Sequence, residues 1–118
     1  MISKLSLLIC FCICTILPAQ DLESGFAMLE SKDYAQAVEL FSEILVSDPG
    51  HKTARICHAR ALGLGGSTIE AHNLFKELNS DFPSDTEVEL NLAESLLWNK
   101  EFNQAIDVYA QVLSLIHI

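Results

Sequence analysis

The stretch "KDYAQAVELFSEILVSDPG", residues 32–50, returns in altered form at residue 66 and again at residue 100. Its two further copies read "GSTIEAHNLFKELNSDFPS" and "KEFNQAIDVYAQVLSLIHI". Columns spaced by 34 residues keep their chemical character: Ala37, Ala71 and Ala105; Phe41, Phe75 and Tyr109; Ile44, Leu78 and Val112. Fixed self-similarity at this length is typical of a helical repeat array.

Within each copy, the repeated apolar residues follow one another at helical spacing. Phe41 and Ile44 come four and seven positions after Ala37, which puts all three on one stripe of a helix. Pro49 and Pro83 then end the segment, because proline cannot extend a helix and the residue before it disfavours the helical region. The pattern predicts an all-α chain with helices at residues 21–31, 34–47, 52–65, 68–81, 85–99 and 102–113.

The glycine-rich stretch "LGLGGST", residues 62–68, suggests either a phosphate-binding loop or a turn between two helices. A phosphate-binding loop of this type needs a lysine and a preceding strand. The stretch contains no lysine, and the segment before it is predicted to be helical. Gly65, Gly66 and Ser67 are expected to form the turn: a glycine at φ > 0 can end one helix, and Ser67 can cap the next. Gly63 costs its helix up to ~1 kcal/mol, which a close backbone contact with a neighbour or ligand, or early fraying, would explain.

The 34-residue pattern resembles the tetratricopeptide repeat, with small residues at Gly25, Ala59 and Ala93 in the first helix of each unit. The resemblance implies a right-handed superhelix of about three helix-turn-helix units, at about residues 21–51, 52–85 and 86–112. It is weaker in the first helix, where the family's tryptophan is replaced by Asp21, Arg55 and Glu89, and at Thr68, which replaces an aromatic residue.

The same resemblance implies a concave groove, built by the first helices, that binds a peptide or helix of a partner protein and catalyses nothing. By position, its lining residues are Leu22, Phe26, Leu29, Ile56, Arg60, Leu64, Leu90, Glu94, Leu97 and Trp98. The alternative is that several of them only pack against the adjacent unit. No catalytic residue, metal site or cofactor is expected.

Residues 1–20 have the composition of an export signal. Lys4 precedes an uncharged run from Leu5 to Leu17, which is shorter than the ~20 residues of a membrane span. We expect cleavage after Ala19 or Gln20, and the alternative is an uncleaved anchor. The expected location is therefore the periplasm or the cell envelope. Two other functions stay open: the N-terminal periplasmic module of a larger outer-membrane protein, for polysaccharide export or barrel assembly, and the repeat region of a secreted enzyme.

Charge and cysteine content narrow the classes of partner. The whole chain has a net charge of −9 and no basic patch, which disfavours nucleic acid and anionic membrane surfaces. Without the leader, only Cys57 remains, and a lone cysteine in a predicted helix is expected to be buried and inert. The ending "LSLIHI" breaks the repeat and equals a translated transposase adapter. We expect residues 113–118 to be partly or wholly non-native, with Val108, Val112 and Leu113 uncovered.

Overall fold

The computed structural model describes residues 21–116, in which six helices are joined by short turns and no strand occurs. Helix α1 occupies residues 21–30, and the others are α2 (Tyr34–Ser47), α3 (Lys52–Leu64), α4 (Thr68–Asp81), α5 (Thr86–Trp98) and α6 (Phe102–Ile116). The predicted all-α repeat fold is confirmed. The helix ends agree within one residue with the prediction, apart from the start of α1, which coincides with the first described residue, and the end of α6, which lies past residue 113. The predicted export signal lies outside the described residues.

The helices stack as successive hairpins. Helix α2 packs on α3, α3 on α4, α4 on α5, and α5 on α6. Helix α3 also contacts α5, so the first helices of successive units lie side by side. In the described part of the chain, no helix is long and apolar enough to cross a membrane.

The repeated columns form the core, as the periodicity predicts. Ala37, Ala71 and Ala105 are fully buried, as are Phe41 and Phe75. Alanine at these places lets two helices approach closely while the neighbouring aromatic ring fills the space beside it.

The apolar ending of the chain does not leave Val112 uncovered, contrary to expectation. Val112 is 1 % exposed because it lies two turns after Ala105, on the face of α6 that packs against α5. Leu113, on another face, is 64 % exposed, as predicted. The first residue of α6, Phe102, is 57 % exposed, whereas Tyr34 at the same repeat position is half-buried beside Gly65.

The turn inside each hairpin repeats with the same geometry. The left-handed region is occupied by Lys32 (φ 65°), Gly66 (φ 110°) and Lys100 (φ 63°), which are 34 residues apart. In each case the next residue's N–H donates to a carbonyl five residues earlier, as from Ser67 to Leu62 at 2.8 Å, which closes the helix end. The turn predicted at Gly65, Gly66 and Ser67 is confirmed, and Gly66 is the glycine with positive φ.

The capping role predicted for Ser67 is wrong, although Ser67 does occupy the N-cap position. Its side chain makes no capping hydrogen bond, because its ψ of 61° lies outside the extended region from which an N-cap side chain reaches the helix. The caps occur instead at the turns between hairpins. The His51 ring accepts from the N–H of Ala54 at 3.1 Å, and the Asp85 carboxylate accepts from that of Val88 at 3.2 Å.

Candidate functional site

The first helices α1, α3 and α5 carry the predicted groove residues, and the structure gives the exposure of each. Four apolar side chains stay accessible there: Phe26 (40 % exposed), Leu64 (38 %), Leu90 (39 %) and Leu97 (40 %). We call the surface formed by these four residues, together with Arg60 and Glu94, the inner wall. Leu22, Leu29 and Trp98, also predicted for the groove, are half-buried and pack against the core.

Ile56 is not part of this accessible surface, which corrects the predicted lining. It is 3 % exposed and packs in one cluster with Phe75, Leu78 and Val88. Its repeat equivalent Leu90 is exposed, so the same repeat position is buried in the core in one unit and accessible in the next. Ile56 follows the alternative considered for the groove residues, that of packing against the adjacent unit.

The two charged residues of the inner wall bind one another. Arg60 Nη1 donates to Glu94 Oε2 at 2.5 Å and to Asn91 Oδ1 at 2.8 Å, which links α3 to α5. Asn91 is held in turn by its own hydrogen bond to the carbonyl of Glu87 at 2.8 Å. Because both charges are matched, this part of the wall needs no ionic partner. Asn91 was missed in the sequence, although its place one turn before Glu94 was a signal for it.

Trp98 packs over the backbone of the preceding unit and so explains the glycine inside α3. A Cβ at Gly63 would overlap the six-membered ring of the Trp98 indole. The indole also meets the Phe75 ring at a centroid distance of 6.5 Å. Of the explanations considered for Gly63, close contact with a neighbour therefore applies. Trp98 is half-buried and packs against the core.

A second polar cluster fastens the turn between α4 and α5 to α3. Lys52 binds Asp85 closely and reaches Glu87 at 3.7 Å, while Arg55 pairs with Asp81 at 2.7 Å. Phe82 lies beneath the charged groups of Lys52 and Arg55, at 5.7 and 5.8 Å from its ring centroid. The hydrogen bond to Asp85 raises the pKa of Lys52, and it lowers the pKa of Asp85. This cluster holds the units in register.

Histidine and cysteine side chains lie at the contacts between neighbouring units, which we call the joints. His58 Nε2 lies 3.1 Å from Ser42 Oγ across α2 and α3, and His72 Nδ1 lies 2.9 Å from Ser95 Oγ across α4 and α5. Burial lowers the pKa of both histidines and raises the pKa of the Cys57 thiol. A buried thiol with a raised pKa is a poor nucleophile. No group of three metal-binding side chains occurs among residues 21–116.

Comparison with known proteins agrees with this architecture. Residues 66–115 match the family model of the tetratricopeptide repeat. A solved structure of MamA (residue 41 to the end) from Desulfovibrio magneticus RS-1 superposes on 83 % of this chain with a TM-score of 0.71 and 19 % identity, which shows a common fold. The chain spans 55 % of the length of that MamA chain. Among curated proteins, no sequence matches this one.

Proposed function

Because this chain is a tetratricopeptide repeat protein, we propose that it is an interaction scaffold whose inner wall binds a peptide or helix of a partner protein. The observation that carries the proposal is the exposure of Phe26, Leu64, Leu90 and Leu97, which all belong to the first helices of their units. Stacked helices hold these side chains in place before a partner arrives, so little conformational entropy is lost on binding.

A role without catalysis fits the placement of the reactive side chains. Cys57 is buried, and His58 and His72 are each bonded to a serine of a neighbouring helix. These groups take part in the contacts between neighbouring units. Members of the family typically act by binding.

The partner can be trapped on the wall with a photo-crosslinking amino acid placed at Leu64 or Leu97. Ile69 and Val46, which are 73 % and 84 % exposed on the second helices, are matched apolar control positions. We expect one covalent adduct of defined mass from the wall positions and none from the controls, as read by mass spectrometry. Equal adducts from both sets of positions would contradict binding at the wall.

We propose further that the scaffold acts after export, in the periplasm or cell envelope, on the basis of the charge and length of residues 1–20. Fusion of the chain to alkaline phosphatase, which gains activity only outside the cytoplasm, tests this. We expect an active fusion, and loss of activity when Leu8→Arg interrupts the uncharged run. An inactive fusion of the unaltered chain would argue for a cytoplasmic scaffold.

A further inference from the structure

Carboxylates flank the apolar side chains of the inner wall, and we call the exposed Glu30 and Glu87 its rim. On α5, Glu87, Leu90, Glu94 and Leu97 are three, four and three residues apart, so they form one stripe along the helix. On α1, Glu30 is exposed one turn after Phe26. The repeat spacing puts Glu30 at the place that Leu64 and Trp98 occupy in the following units.

Basic side chains offset these carboxylates only in part, since Arg60 matches Glu94 and Lys52 is shared between Glu87 and Asp85. Residues 21–116 contain 16 acidic and six basic residues, a formal charge of −10 (6 − 16). Three of the six are held in ion pairs: Arg60 with Glu94, Arg55 with Asp81, and Lys52 with Asp85 and Glu87. The wall therefore combines exposed apolar area with a net negative rim.

The wall also limits the backbone conformation of what binds it. Its main-chain N–H and C=O groups are bonded within α1, α3 and α5, so an extended peptide cannot add to it as a strand. The Arg60 guanidinium of the wall already donates to Glu94 and to the adjacent Asn91. An occupant that buries its backbone here has to satisfy its own peptide groups, and a helix does so.

We propose that the occupant of the inner wall is an amphipathic helix with an apolar stripe and lysine or arginine along its flanks. The apolar stripe contacts Phe26, Leu64, Leu90 and Leu97, and the basic flanks face Glu30 and Glu87. Opposite charges at the rim speed encounter and disfavour acidic partners. This inference rests on the proposed function and narrows its partner to one chemical class.

Trp98, the single tryptophan of the chain, provides the readout because it is half-buried next to Leu97. Three synthetic helical peptides share one leucine stripe and differ only in flanks of lysine, glutamine or glutamate. We expect the lysine peptide to change Trp98 fluorescence and to bind about tenfold more tightly than the glutamine peptide, with the glutamate peptide weakest. Raising the salt concentration from ~0.05 to ~0.3 M should shrink that difference.

Variants separate the apolar contact from the charge. Leu90→Gln and Leu97→Gln should weaken all binding, whereas Val46→Gln and Ile69→Gln on the second helices should not. Glu30→Gln should weaken the lysine peptide alone. Glu43→Gln makes the same charge change at an exposed site on α2 and should leave affinity unchanged. Circular dichroism checks that each variant keeps its helices.

The outcomes distinguish this inference from the proposed function. Equal affinity for the lysine and glutamine peptides, lost in Leu90→Gln, overturns the basic flank and leaves the wall as a binding site. Equal effects of Glu30→Gln and Glu43→Gln overturn recognition by the rim, since only the net charge then matters. Failure of all three peptides to bind overturns the inference, while the crosslinks at Leu64 and Leu97 test the wall independently. Binding that no wall variant alters contradicts both.

Discussion

At Gly63 the backbone of α3 lies against the indole of Trp98, which belongs to the next unit. Glycine is a poor helix former. It is required at position 63 because the Trp98 ring occupies the space that a side chain would fill. The contact joins two units through one aromatic residue, which also packs on Phe75. Trp98 is therefore both a structural residue and a neighbour of the proposed binding surface.

We expect Gly63→Ala to destabilise the protein by about 1–3 kcal/mol through overpacking against the indole, although alanine is the better helix former by ~1 kcal/mol. In a Trp98→Ala background the same change should be neutral or stabilising, because the obstructing ring is gone. Urea unfolding of the two single variants and the double variant measures this coupling. An equal cost of Gly63→Ala in both backgrounds would show that the ring is not the cause.

The histidines at the joints make stability depend on pH. Burial lowers the folded-state pKa of His58 and His72, so the neutral rings favour folding. Their contribution is complete above the ordinary histidine pKa of about 6.5 and is lost as the pH falls below it. We expect the melting temperature to fall between pH ~7.5 and ~5.5. The double variant His58→Gln with His72→Gln should show a smaller fall, and an unchanged pH profile would contradict this origin.

At the scale of helices and turns, two kinds of turn alternate. Turns inside a hairpin place Asp33 and Ser67 at ψ 64° and 61°, where neither caps its helix. Turns between hairpins place His51 and Asp85 at ψ 105° and 113°, where both do. The helix starts at the joints are therefore the ones that side chains stabilise.

Asp85 has two roles that substitutions can separate. It caps α5 through the N–H of Val88 and pairs with Lys52 of α3. Asp85→Asn keeps a capping oxygen and loses the ion pair, whereas Asp85→Ala loses both. We expect Asp85→Ala to cost about 0.5–2 kcal/mol more than Asp85→Asn in thermal or urea unfolding. Equal costs would assign the effect of Asp85 to the ion pair alone.

At the scale of the whole molecule, the units of residues 21–116 differ in how many neighbouring helices pack against them. Helix α3 packs against α2, α4 and α5, whereas α6 packs against α5 and exposes Ile106 and Leu113 at 62 % and 64 %. In a repeat array each unit draws stability from its neighbours. The middle unit should therefore be the most stable part of the chain.

Hydrogen exchange followed by mass spectrometry tests this gradient. We expect the amides of α3 and α4 to exchange at least about tenfold more slowly than those of α6, since local opening of α6 exposes less buried surface. The control is the same measurement in denaturant near the unfolding midpoint, where the differences should vanish. Protection of α6 equal to that of α3 would contradict stabilisation by neighbouring units.

The 34-residue period determined the helices, the hairpins and the buried columns, because a stripe such as Ala37, Phe41 and Ile44 must be covered whichever unit carries it. The export signal at residues 1–20 and the non-native tail at 113–118 stay predictions.

Accessibility at the inner wall was decided only by the tertiary structure. Ile56 and Leu90 occupy the same repeat position, yet Ile56 is 3 % exposed and Leu90 is 39 % exposed. The difference arises because α5 with Val88 packs beside α3 and completes the cluster around Ile56. Likewise, a glycine is needed at position 63 because the Trp98 ring, 35 residues later in the chain, occupies the space of a side chain. A period specifies what each unit buries within itself, whereas contacts between unlike neighbours depend on the side chains that the next unit happens to supply.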